Sequence, residues 1–168
     1  MTYLTIFSTV LGLVNLLLVL AVLSRLRGQA QEVRERQIKM PVLPPGTTPE
    51  PFEATALDGS AVRTGDFRLV AFLSPACSLC HDRLPDLLAY AARSGQPLLA
   101  VLAGTREEVA ELATEVGPSA RVIVEEPEGP VWRAFGVRGL PAFYLLDGEG
   151  AVRGAGVEVS DLPAAEYV

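Results

Sequence analysis

Residues 68–84 read RLVAFLSPACSLCHDRL, and the order of residue types along them decides the fold. Arg68 to Leu73 is a short apolar run bounded by Pro75, the pattern of a buried strand. Cys77-Ser78-Leu79-Cys80 follows at once. Leu84, Leu87, Leu88 and Ala91 then recur at helical spacing until Gly95 ends the stretch. A cysteine at a strand-to-helix junction lies beside exposed backbone N–H groups and the positive end of the helix dipole, and both favour thiolate. Cys77 is therefore the expected nucleophile. Cys80, about one helical turn away, is placed to attack a mixed disulfide formed at Cys77, which makes it the expected resolving thiol.

No other cysteine occurs in the 168 residues, and there is one histidine. A disulfide-stapled scaffold needs more cysteines spread along the chain, and a zinc ribbon needs a second ligand pair. Two cysteines separated by two residues read as a redox couple.

Outward from this segment the pattern alternates. Upstream, Phe52 to Ala56 and Ala61 to Arg63 flank Asp58-Gly59, which suits a hairpin turn. Downstream, Pro97 to Ala103 predicts a buried strand, and Thr105 with Glu108 forms a capping-box signature opening a helix through Val116. Arg121 to Val124 predicts a third central strand. An amphipathic stretch around Trp132 and Phe135 follows, with both aromatics expected in the core. Ala142 to Leu146 and Ala151 to Val159 then flank Asp147-Gly148-Glu149-Gly150 as a terminal hairpin. The order β-β-β-α-β-α-β-α-β-β predicts an α/β domain, one mixed central sheet with helices on both faces.

The N-terminal part is of another kind. Residues 1–3 form a short tip, and Leu4 to Leu23 contain no charged residue, roughly 20 positions or about 30 Å of helix, enough to span a bilayer core. The expectation is one uncleaved transmembrane helix over 4–23. A cleaved signal peptide is the alternative, but Lys and Arg are absent before the apolar run and no A-x-A-like site follows it. Arg25, Arg27, Arg34, Arg36 and Lys39 all follow the run, so the positive-inside rule leaves the domain cytoplasmic. A reactive dithiol on a tether makes more sense facing an oxidising compartment, so an extracytoplasmic domain on a single-pass anchor is the expectation. Residues 24–51 read as a juxtamembrane segment and linker, with Pro41, Pro44, Pro45, Pro49 and Pro51 favouring an extended spacer. The globular domain is expected over 52–168.

Charge divides the same way. Residues 52–168 carry nine Lys and Arg against seventeen Asp and Glu, a net of −8. Such a domain repels a phosphate backbone, and no basic run interleaved with aromatics offsets that, so nucleic acid is not an expected partner.

The segment Phe72-Leu73-Ser74-Pro75-Ala76-Cys77-Ser78-Leu79-Cys80, followed by Pro85, resembles the active-site segment of thioredoxin-fold proteins, in particular the membrane-anchored TlpA/MauD-type thiol-disulfide oxidoreductases. The resemblance extends over most of the chain, through Pro51-Phe52, Asp58-Gly59 and Val137-Arg138-Gly139-Leu140-Pro141-Ala142-Phe143-Tyr144-Leu145-Leu146-Asp147. It implies a thioredoxin-like fold in which Pro141 is cis and lies against the cysteine pair, with the Leu140 backbone offering strand-like hydrogen bonds to a substrate. It also implies a kink at Pro85, no bound cofactor, a cysteine-containing client protein, a membrane electron donor, and a role as a reductase or in maturing an exported protein. A cis X–Pro bond costs little relative to other cis peptides, and such a loop beside an extended chain suits peptide docking.

The chain departs from the family pattern in several places. Ala76 replaces the tryptophan often found before the first cysteine. The buried acid of thioredoxin corresponds to Ala71, and the acid that follows the motif in TlpA-type proteins falls at Arg83. His81, Asp82 and Asp86 are near enough to be candidates for a general base, but each reads more readily as a solvated helix residue; protonated His81 would favour thiolate at its neighbour. Residues 161–168 are too short for a full terminal helix, which leaves one sheet face expected to be partly exposed or covered by a partner. Two other classes compete with the enzyme reading: a copper-handling module using both thiols and His81, and a redox-inert binding scaffold.

Overall fold

The computed structural model describes residues 42–164 and Phe7. Among the described residues no helix is long and apolar enough to cross a membrane. The anchor expected over 4–23 lies outside them.

Five strands form one mixed sheet: β3 (Leu69–Leu73), β4 (Leu98–Ala103), β5 (Ala120–Glu125), β6 (Ala142–Leu146) and β7 (Val152–Gly156), in the order β5-β4-β3-β6-β7. β4 pairs parallel with β3 and β5, while β6 pairs antiparallel with β3 and β7. β1 (Glu53–Thr55) and β2 (Ala61–Arg63) make the expected hairpin, but as a separate two-stranded sheet rather than part of a single one. β5 is outermost, not central. Its ends are only partly buried, at Ala120, Arg121, Val124 and Glu125, whereas β3, β4 and β6 are buried throughout.

Alternation along the strands divides the core into two layers. Leu69, Ala71 and Leu73 of β3 face the same layer as Leu98, Ala100 and Leu102 of β4 and Phe143 and Leu145 of β6. Helix α1 (Ser78–Ser94) covers it with Leu84, Leu87 and Tyr90, and α2 (Ala110–Val116) with Leu112 and Val116. On the other side Val70, Phe72, Leu99, Val101 and Tyr144 meet the hairpin residues Phe52, Ala56 and Val62 and helix α3 (Pro130–Ala134). Phe72 is the centre of an aromatic group there, 5.7 Å from Trp132, 5.4 Å from Phe135 and 5.8 Å from Tyr144 between ring centroids. The Tyr144 hydroxyl donates to the Phe135 carbonyl at 3.0 Å.

The sheet face expected to be partly exposed or covered by a partner is closed in part by the chain itself. After β7 the chain makes a short 3-10 turn at Val159–Asp161, and Leu162, 6 % exposed, packs into the α1 layer. The Tyr90 hydroxyl donates to the Pro163 carbonyl at 2.8 Å and holds this return.

The described part of the proline-rich segment is pinned to the domain. Pro45 and Gly46 occupy a tight turn closed by Thr47 N–H to the Pro44 carbonyl, with φ of +85° at Gly46, as a type II turn requires. Gly46 N–H donates to the Val152 carbonyl at 2.7 Å, Val152 N–H donates to the Thr47 carbonyl at 2.8 Å, and Pro49 is buried.

Candidate active site at Cys77 and Cys80

β3 delivers the chain to the end of the sheet, and Ser74 turns it. The Cys77 N–H donates to the Ser74 carbonyl at 3.1 Å and the Ala76 N–H to Ser74 Oγ at 3.3 Å, a compact loop that ends where α1 begins. Cys77 is the N-cap of that helix, with extended backbone, and its Sγ accepts the Cys80 N–H at 3.2 Å. Cysteine is an uncommon cap, but its sulfur occupies the position where a Ser or Asp oxygen would satisfy a free helix N–H. The first turn of α1 contains no acidic residue. The helix end therefore keeps its positive field for the sulfur.

Cys77 and Cys80 form a disulfide, with Cα atoms 5.3 Å apart. Cys80 is fully buried in the α1 layer, and Cys77 is half-buried. An incoming thiolate or disulfide thus meets Cys77 first.

The Leu140–Pro141 bond is cis. Pairing of Phe72 with Ala142 sets Pro141 beside the end of β3, so the proline loop lies next to the turn carrying the cysteines. Leu140 lines a cavity of about 500 Å³ together with Pro75 and Ala76. It is half-buried and packs against both core layers.

The other sequence candidates take places of differing use. His81 is exposed; its Nε2 donates to the Pro75 carbonyl at 3.0 Å, and its Nδ1 is 3.9 Å from Glu115 on α2. It braces the loop before Cys77. Asp82 and Asp86 lie on the exposed side of α1. Ala71 is fully buried in the layer that holds Cys80, and among the described residues no charged side chain is buried. Arg83 pairs with Glu158, Nη2 to Oε1 at 2.6 Å, and so ties α1 to the segment after β7. Pro85 falls within α1, which runs on through it. Among the described residues no three His, Cys, Asp or Glu side chains gather as a metal site.

Sequence reasoning missed Glu108 as a neighbour of this site. Its carboxylate does form the capping box, accepting from Thr105 N–H at 2.8 Å and Thr105 Oγ1 at 2.9 Å, yet it also lines the cavity beside Ala76. Those Thr105 hydrogen bonds hold its carboxyl below the usual range. The signal in the sequence was a helix cap, and a cap carries no information about which loop it will face.

No protein-family model matches the chain, and no curated protein does. Solved structures do. The thioredoxin domain of a thiol-disulfide oxidoreductase from Bacteroides vulgatus superposes with a TM-score of 0.58 at 25% identity, over 71% of this chain and 93% of that one. A putative thiol:disulfide interchange protein DsbE from Chlorobium tepidum gives 0.57 at 23% identity, over 71% and 90%. A thio-disulfide isomerase from Thermus thermophilus gives 0.57 at 22%, over 69% and 87%. The fold of residues 42–164 is thioredoxin-like.

Proposed function

We propose that this chain is a thiol-disulfide oxidoreductase that exchanges disulfides with protein cysteines. The observation that carries the reading is the paired cysteines at the head of α1, one reachable and one sealed, beside a cis-proline loop in a thioredoxin-like fold. In the reducing direction, Cys77 thiolate attacks one sulfur of a client disulfide. A Cys77–client bond forms and the client's other sulfur leaves as thiolate. Cys80 thiolate then attacks Cys77 Sγ, the second client sulfur leaves, and the pair ends as the Cys77–Cys80 disulfide with two electrons passed to the client. An external dithiol must restore the pair. Oxidation of a client is the same sequence run backwards.

The Leu140 backbone and Pro141 would dock the client segment as an added strand, and no bound cofactor is required. The finer reading is a TlpA/MauD-type protein, held by a single-pass helix over 4–23 with its domain extracytoplasmic, working as a reductase or in maturation of an exported protein and re-reduced by a membrane dithiol donor. What supports it is the charge-free run from Leu4 to Leu23 and the chemistry of a tethered dithiol.

The deciding experiment equilibrates the full-length chain in thiol-disulfide buffers and follows alkylation of Cys77 and Cys80 by mass. One reversible two-electron transition is expected. A potential near about −250 mV or lower points to a reductase, one above about −150 mV to an oxidant. The absence of any reversible couple would remove the enzyme reading and favour a scaffold.

A further inference from the structure

The cavity beside the cysteine loop is asymmetric in its chemistry. Its walls include Pro75, Ala76, Ala103, Pro127 and Leu140, all apolar, and its one charged wall residue is Glu108. Ala76 and Leu140 flank the positions at which a client would meet Cys77 and the proline loop. Only a methyl group stands at 76, so the space is open to a client side chain.

The carboxylate at its margin is already set. Both Thr105 donors converge on Oε2 of Glu108, which leaves Oε1 for another donor, and those two hydrogen bonds keep the group ionised. Pro127 lies between Glu126 and Glu128, both exposed, so the rim adds negative charge. Arg106 and Arg138 are exposed residues of neighbouring loops and do not line the cavity.

We propose that this cavity is a specificity pocket for a basic client residue next to the reacting cysteine, the aliphatic stem of an arginine or lysine lying along the apolar wall and its cation meeting Glu108. This inference rests on the oxidoreductase reading and names the clients that reading leaves open. A long cationic side chain fits because its stem buries on apolar surface while its head stays at a polar margin. A carboxylate acceptor with one oxygen free favours the charge-assisted hydrogen bond that such a head brings. An acidic client residue would meet Glu108, Glu126 and Glu128 as like charges.

The test uses full-length Cys80→Ser protein, in which Cys77 can form but not resolve a mixed disulfide. Short peptides carrying one cysteine, activated as the disulfide with thionitrobenzoate and bearing Arg, Leu or Glu on either side of the cysteine, are mixed with it. Cys77 thiolate attacks the peptide sulfur, the Cys77–peptide disulfide forms and coloured thionitrobenzoate leaves. The Arg peptide should react faster than the Glu peptide by about fivefold or more, and rising salt should narrow the gap. Adding Glu108→Gln, which keeps an acceptor for Thr105, should collapse the Arg-to-Glu ratio towards one. Ala76→Trp, which fills the cavity from its other wall, should do the same. Equal rates for all peptides, or a ratio that persists in both variants, would overturn the pocket and leave the oxidoreductase reading standing. Failure of Cys77 to react with every peptide and with a small aromatic disulfide would overturn that reading, and the pocket with it.

Discussion

At Cys77 the sulfur is both the cap of a helix and the more accessible half of a disulfide, and the N–H that satisfies the cap also stabilises the thiolate once that disulfide is reduced. Removing each cysteine should therefore give different phenotypes. Cys77→Ser should abolish exchange with a disulfide substrate, while Cys80→Ser should still attack and accumulate the mixed disulfide, which non-reducing mass spectrometry would detect. Tyr144 supports a second prediction at this scale. Burial pushes its hydroxyl up from 10.0 to about 12. The folded state holds that proton more tightly than the unfolded chain, so the stabilisation is complete below about pH 10 and is lost as pH rises from there towards 12. Burial shifts Tyr90 in the same direction. Denaturation midpoints measured across that window should fall, and Tyr144→Phe should flatten the fall while costing about 1–3 kcal/mol at neutral pH from the unpaired Phe135 carbonyl.

Secondary elements show where local pattern suffices and where it does not. The strand, cysteine pair and helix over Leu69–Ser94 were legible because apolar run, turn residue and helical spacing change in sequence without overlap. The opening of α2 was not. Thr105 and Glu108 do bond reciprocally, but Val109 N–H reaches the Thr105 carbonyl while Ala110 N–H takes Glu107, so a separate turn precedes a helix that starts at Ala110. β5 lies at the side of the sheet although its sequence suggests the middle, because a run of Val and Ile has the same local appearance in both places; the pairing partner decides, and that is a long-range fact. Gly129 and Glu125 form another device that no local pattern announces. The Glu125 carboxylate accepts from Val131 N–H and Trp132 N–H, both near 3.1 Å, and caps α3, and a side chain at 129 would collide with it. Glu125→Ala should lower stability by about 1 kcal/mol in denaturant titration, whereas Glu126→Ala, at an exposed position, should stay within about 0.5 kcal/mol.

Across the whole domain the long-range ties come from segments that look like connectors in the sequence. Composition indicated a spacer over 24–51, since five prolines oppose regular structure, but the same residues include Pro45-Gly46, which suits a type II turn, and a turn brings backbone groups back to the body. The return after β7 is invisible to a length criterion for a related reason: such a criterion counts helical turns, while Leu162 needs only one side chain to join its layer. The candidate dithiol was readable from spacing alone; the cavity that would select its clients was not, because its walls come from loops far apart in sequence. The bonds made by these connectors have a consequence for how copies of the protein behave towards each other. An outermost strand offers unpaired N–H and C=O groups on which another chain can add by strand pairing, a hazard for a protein that would handle incompletely folded clients. Here Leu57 N–H occupies the Val122 carbonyl on β5 at 2.7 Å, and Gly46 and Thr47 occupy both backbone groups of Val152 on β7. Gly46→Pro deletes one of those donors and cannot adopt the positive φ of the turn, so it should uncover β7. Sedimentation should then detect concentration-dependent self-association in the variant and not in the parent chain, because at Val122 and Val152, one on each rim of the sheet, the protein already serves as its own neighbour.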